Sequence, residues 1–199
     1  MEQPSKSHNS VATALIAVGS NQISPYGCPI MSVKEAFRAI ERAEIQIQAK
    51  SRLFNTPCFP AGAGPDYVNA ALRITTTLPP LALLQALHEV ESDFDRERTN
   101  RWAARTLDLD LIDHGGALLP DRATWDHWHN MPLEQQKTTT PQGLITPHPR
   151  VQDRAFVLVP LADVAPDWTH PVTGATINQM LAALPKGDIA AITPLEQGI

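Results

Sequence analysis

Between Arg101 and Asp113 the chain reads RWAARTLDLDLID, two arginines and a tryptophan running into three aspartates. On a strand, alternation would send Leu107, Leu109 and Leu111 to a core and leave Asp108 and Asp110 side by side on the opposite face. Two carboxylates held that close repel unless a positive charge stands between them, and a divalent cation does this better than a side chain. Magnesium suits the pair, because it takes oxygen ligands and commonly combines one or two carboxylates with substrate phosphates. Paired aspartates at a strand end can also be no more than a solvated face, so the neighbours must decide. Arg96, Arg98, Arg101 and Arg105 make a cationic run in a chain of net charge -5. Guanidinium forks match phosphate oxygens two at a time. Arg96 or Arg98 alone would read as a cation completing a helix C-terminus; four arginines leading into paired carboxylates point to a polyphosphate and its metal. Trp102, among them, is either a core or hinge anchor or a lid over substrate.

The elements that must position these groups follow from periodicity. TALIAVG reads as a buried strand ending at GSN. Ser32 is expected to cap a helix, with Glu35 three residues on and an apolar face of Val33, Ala36, Phe37 and Ile40. IQIQAKSRLF, from Ile45, reads as one strand with a wet face. NTPCFPAGAGPD, with three prolines and two glycines, must be loop. YVNAALRITT puts Val68, Ala70, Leu72 and Ile74 on one face and Asn69 and Arg73 on the other. A proline opens the next helix, which buries Leu83, Leu87, Val90 and Phe94. From Gly115 to Gly143 regularity fades, and WDHWHNMPLEQQKTTTPQG looks like an exposed insertion; His127 and His129 stand close in it, with no third ligand evident. Phe156 to Ala165 is apolar enough to pack, and GATINQMLAAL is expected to form a last helix. The alternation of strands and helices implies an α+β sandwich, a largely antiparallel sheet with helices packed over it.

At 199 residues one core can serve the whole chain, so a single domain is expected over 13–199 behind a disordered, tag-like tail at 1–12. With 43% hydrophobic and 19% charged residues and a mean hydropathy of -0.18, the composition is that of a soluble globular protein without membrane spans. The acidic balance excludes a general nucleic-acid binder, which depends on excess Lys and Arg. Cys28 and Cys58 have neither zinc nor redox spacing, which fits a reducing compartment and a cytoplasmic location.

The residues RWAARTLDLDLI resemble the signature of the 6-hydroxymethyl-7,8-dihydropterin pyrophosphokinase family, folate-pathway enzymes that move pyrophosphate from ATP to a pterin alcohol. Three further segments agree in order: AVGSN, TPCFPAGAGPDYVNAAL and TPHPRVQDRAF, so that the likeness runs from Ala14 to about Leu184. The resemblance implies a ferredoxin-like fold and a monomer using ATP as co-substrate with two Mg2+ ions, both held by Asp108 and Asp110. It implies that Arg96, Arg98 and Arg105 lie on or beside a mobile catalytic loop, Arg96 and Arg105 acting in catalysis, and that Trp102 closes the loop. His148 and Arg154 would meet the phosphate chain, and His88 and Glu91 the nucleotide. Tyr67 and Phe156 would flank the pterin ring, with Asn69, Thr56 and the main chain near Phe59 on its polar edge. From the residues alone, Tyr67 and Phe156 could be core aromatics and His148 a turn residue between prolines. The sequence departs from the family at Ala103 and Ala104, where many members carry Gly-Pro, at Pro149, where some carry an aromatic, and in an insertion at about 119–143. Two other readings stand beside this one: a different metal-dependent phosphoryl or nucleotidyl transferase, and a non-catalytic pterin- or nucleotide-binding protein of the same fold.

Overall fold

The computed structural model describes residues 10–58, 64–95 and 105–196. Four expected site residues, Phe59, Arg96, Arg98 and Trp102, lie outside them, as does most of the expected tail; Ala12 already belongs to the first strand.

The first strand, β1 (Ala12–Ser20), leads through α1 (Pro29–Ile40) to β2 (Ile45–Lys50), β3 (Phe54–Thr56) and the long β4 (Tyr67–Thr76), then through α2 (Pro80–Asp93) to β5 (Asp108–His114). The pairing is antiparallel throughout, β5 beside β1, β1 beside β4, and β2 and β3 end to end along the other edge of β4. With β2 and β3 counted as one interrupted strand, this is the β-α-β-β-α-β arrangement of a ferredoxin-like sandwich. A two-residue strand, β6 (Thr193–Pro194), adds to β3.

Both faces of the sheet are covered. Leu72 and Ile74 of β4, Ala14, Ile16 and Val18 of β1 and Leu109 and Leu111 of β5 pack with α1 and α2. Leu15, Ala71 and Ile112 point the other way, into a second cluster with α5 (Ala155–Val164) and α6 (Ile177–Ala183). Burial on both sides explains why β1 reads as a continuous apolar run and not as an alternation. The expected faces of α1 and α2 are the buried ones.

Several local expectations are corrected. The first helix starts at Pro29 after Cys28, and Ser32 sits inside it, fully buried, its hydroxyl 2.8 Å from that of Ser24. Proline at the first helical position, where no N–H is needed, sets the start in place of a side-chain cap. IQIQAKSRLF is two strands: at Ser51 the hydroxyl accepts from Ala71 N at 2.8 Å and breaks the ladder, and Arg52 then forks onto Asp163 of α5 at 2.8 and 2.9 Å. The stretch from Gly115 to Gly143 contains α3 (Arg122–His129) and α4 (Leu133–Thr138). It is not simply exposed, because Trp125 is 1% accessible. Its base is closed by a bridge in which Leu119 N donates to Thr146 O at 2.8 Å and Thr146 N to Leu119 O at 3.2 Å. The α6 helix is followed by a further short one, α7 (Lys186–Ala190). Among the described residues no helix is long and apolar enough to cross a membrane.

Candidate active site

The sheet's second face is apolar at one end and carries small and polar residues at the other, where α5 begins. There β4, β1 and β5 place Asn69, Gly19 and Asp108 in one cross-strand row, with Ala71, Ala17 and Asp110 two residues further along. The small residues of β1 leave a floor between the amide and the carboxylates. Gly19 is required: a Cβ there would stand 2.7 Å from Asn69 Oδ1.

On one side of this floor Asn69 Nδ2 donates to Thr56 Oγ1 at 2.6 Å, both residues being buried. That bond fixes the amide orientation and leaves Oδ1 as an acceptor. Tyr67, paired in register with Thr56, also borders Gly19, its ring 3.8 Å from the position of a Cβ. On the other side Asp108 and Asp110 share a face, as alternation required, and each is met by a guanidinium. Arg105 bonds Asp108 closely, and Arg154 Nη1 donates to Asp110 Oδ2 at 3.1 Å. Burial opposes the charge on Arg105, but Asp108 and Asp110 outweigh it and hold its pKa above the ordinary guanidinium value. Phe156, 38% exposed on the first turn of α5, lies beneath Arg154, whose guanidinium carbon is 5.8 Å from the ring centroid.

His148 enters from the segment after the bridge. Its backbone N donates to Ile112 O of β5 at 2.7 Å, and its Nδ1 accepts from Arg150 N at 3.1 Å. Burial, with Arg154 and Arg150 nearby, pushes its pKa well below the usual value. The imidazole is then neutral, and with Nδ1 accepting, its proton sits on Nε2, which is left as a donor.

Glu91 and His88 lie one turn apart on α2, as their spacing requires. Glu91 is 1% exposed and accepts Leu109 N at 2.7 Å, so one of its oxygens braces the strand between the two aspartates; His88 is half-buried. Two contributors went unassigned in the sequence. Asn21 accepts Arg105 N on Oδ1 at 2.7 Å and donates from Nδ2 to Pro65 O at 3.0 Å, and Ser20 donates to Thr106 O at 2.7 Å. They tie Pro65, just ahead of β4, and Arg105 and Thr106, just ahead of β5, to the end of β1. Their only signal was a polar pair closing a buried strand.

A sheet end with paired carboxylates, converging arginines and a buried amide defines a small α+β domain equipped to handle phosphate next to a polar ring. Residues 15–166 match the family model for 7,8-dihydro-6-hydroxymethylpterin-pyrophosphokinase. The chain belongs to that family, whose members transfer pyrophosphate from ATP to the hydroxymethylpterin in folate synthesis. It is 37% identical to the 2-amino-4-hydroxy-6-hydroxymethyldihydropteridine pyrophosphokinase of Pseudomonas aeruginosa, over 85% of this chain and 90% of that one. It is 39% identical to the Synechocystis protein of the same name, over 75% of this chain and 62% of the relative's length. Among solved structures it resembles the HPPK-DHPS of Plasmodium falciparum crystallised with SDX-DHP, with a TM-score of 0.62 and 13% identity, over 89% of this chain and 45% of that one. At that identity the likeness speaks to the fold, which is thereby that of the family.

Proposed function

We propose that this chain transfers the β,γ-diphosphate of ATP to the hydroxymethyl oxygen of 6-hydroxymethyl-7,8-dihydropterin, releasing AMP, with the residues of this sheet end in the following roles. The observation that carries the reading is the cross-strand row: a fixed amide at Asn69 and a carboxylate at Asp108, separated by the width of Gly19.

Asn69 Oδ1 accepts from the amino edge of the pterin, held in direction by Thr56, and Tyr67 and Phe156 offer aromatic surface to the ring. Phe59 and Trp102 are proposed to contribute to pterin binding. On the other side Asp108 and Asp110 supply the hard oxygen donors that Mg2+ takes. Among the described residues no group of three or more His, Cys, Asp or Glu is gathered for a metal, so the remaining ligands would be phosphate and water oxygens. Two Mg2+ ions held there would neutralise the phosphate chain and polarise the bond to be broken. Arg105 and Arg154 pair with the two aspartates; with cations held by those carboxylates, both guanidiniums would be available to phosphate oxygens. His148 donates its Nε2–H to the same chain, Arg98 binds it, and Arg96 joins Arg105 in stabilising charge as it develops. His88 and Glu91 lie toward the nucleotide. Fixing the two substrates in line can by itself remove ~7 kcal/mol or more of the barrier. Folate synthesis supports the cytoplasm as its place.

The test is incubation with Mg2+, the pterin alcohol and ATP labelled on the γ-phosphate, with the Asp110→Asn variant alongside. Label in the pterin product with equimolar AMP, lost in the variant, is expected. ADP as the nucleotide product would overturn the reading in favour of a different phosphoryl transferase.

A further inference from the structure

The inserted segment is wired to the site. Trp125 Nε1, on α3, donates to Pro147 O at 2.8 Å, and His129 Nδ1, one turn later, lies 3.2 Å from Pro149 O, to which it donates. These two carbonyls flank His148. A third bond runs the other way, from Arg150 Nη1 to Met131 O at 3.1 Å. The two donors form one unit: the Trp125 and His129 rings are stacked, centroids 4.5 Å apart and planes 18° apart, and His170 meets Trp125 edge-on at 5.4 Å. The helix under them is capped by Asp121, which accepts Thr124 N at 2.8 Å. On its opposite side the His148 segment is fastened to β5 through Ile112 O. His148 is thus clasped between the strand that carries the two aspartates and a helix the sequence marks as additional.

We propose that α3 is a positioning element of the active site, in which Trp125 and His129 hold the carbonyls on either side of His148 and so set the direction of its Nε2–H toward the ATP phosphates. The proposal rests on the reading of His148 as a phosphate contact. It assigns to residues 121–131 a part in nucleotide binding, against the sequence-based expectation of an exposed insertion. A histidine between two prolines has little backbone support of its own, since neither proline offers an N–H to a neighbour. Its own N–H to Ile112 O and the Arg150 N–H to Nδ1 fix part of its direction; the groups that grip the flanking carbonyls fix the rest, and an error of an ångström in a catalytic donor can cost orders of magnitude in rate. Trp125 and His129 do not touch substrate; they act through His148.

The experiment is calorimetric titration of the whole chain with α,β-methylene-ATP in MgCl2, and separately with the pterin alcohol, for His129→Ala, His129→Asn, Trp125→Phe and, as reference, His148→Ala. His148→Ala should weaken the nucleotide analogue about tenfold, the loss of a hydrogen bond to a charged group. His129→Ala and Trp125→Phe should each weaken it about fivefold, one ordinary hydrogen bond's worth, with pterin affinity within about twofold of the parent. His129→Asn should rescue, because its amide nitrogen can reach the same carbonyl. Should Trp125→Phe fail to fold, the two His129 variants decide. Parent-like nucleotide affinity in His129→Ala and Trp125→Phe, beside a weakened His148→Ala, would overturn the clasp alone. Equal losses for nucleotide and pterin would make α3 a general scaffold and also overturn it. Parent-like affinity in His148→Ala would remove the premise and the inference together.

Discussion

Replacing Gly19 by alanine tests the floor of the site at its tightest point. The added Cβ would stand 2.7 Å from Asn69 Oδ1, closer than such contacts are found, so something must move. The backbone of β1 is held on both sides by β4 and β5, and the Asn69 amide cannot retreat toward Thr56, to which it is already bonded at 2.6 Å. Rotating the amide away sacrifices that bond and one or two bonds to the pterin edge. The Thr56 bond is lost from free and bound protein alike, so affinity loses only the pterin bonds, ~1–2 kcal/mol at about 1 kcal/mol each, or roughly 5- to 30-fold. The fold should scarcely notice, because alanine in a strand interior recovers about 0.5–1 kcal/mol of backbone entropy relative to glycine. The assay is calorimetry with the pterin alcohol and, separately, with α,β-methylene-ATP, next to a thermal melt. A large pterin loss is expected, with parent-like nucleotide affinity and melting temperature. Pterin affinity within about twofold of the parent would refute the placement of Asn69 Oδ1 against the ring.

The third aspartate of the opening stretch predicts a gain in stability. Burial pushes the Asp113 carboxyl above its usual pKa, although N–H groups of Gly116 and Trp168 favour its charged form, and Oδ1 has no partner among the described residues. The folded state therefore holds this proton more tightly than the unfolded chain, and the stability present below the unfolded pKa is lost as pH rises through the folded one. Asp113→Asn should melt higher than the parent at pH 7, with the gap closing toward pH 4; no difference between them at pH 7 would count against it. His170 works in the opposite direction: burial, helped by His129, lowers its pKa from 6.5 to about 4. Stability should then fall as pH drops from 6.5 toward 4, by up to about 3 kcal/mol from this group. His170→Asn, which can still accept from Val172 N and Thr173 N as the Nδ1 atom does, should flatten that part of the urea-unfolding profile, and an unchanged slope would exclude His170 as its source.

Where the sequence was legible, the signal was local and periodic. LDLDL could be placed with its leucines inward and its aspartates together because side-chain direction alternates whatever the neighbouring strand. The faces of α1 and α2 followed from helical spacing in the same way. Ser32 was misread because Ser-x-x-Glu is a capping pattern only when the preceding residues are not already helical, and Pro29 starts the turn first. The break at Ser51 and the role of Asn21 depend on partners 20 and 84 residues away, Ala71 and Arg105, which no local pattern announces. Trp125 looked like part of an exposed loop because its two neighbouring histidines and charged flanks mask a single buried side chain. Its partner, the carbonyl of Pro147, has no side-chain signature at all.

The bridge between Leu119 and Thr146 gives the inserted segment a closed stem. Once the two ends are pinned by their paired hydrogen bonds, the entropy of closing the ring between them rises only with the logarithm of its length. Doubling that length costs about 0.6 kcal/mol. The sheet and the His148 strap thus feel the stem and the α3 clasp, but hardly the contour of the chain beyond them. The exposed stretch from Thr138 to Thr140 on the far side of α4 is accordingly a natural port, where foreign sequence could be spliced in with little tension passed back to the carboxylate end of the sheet.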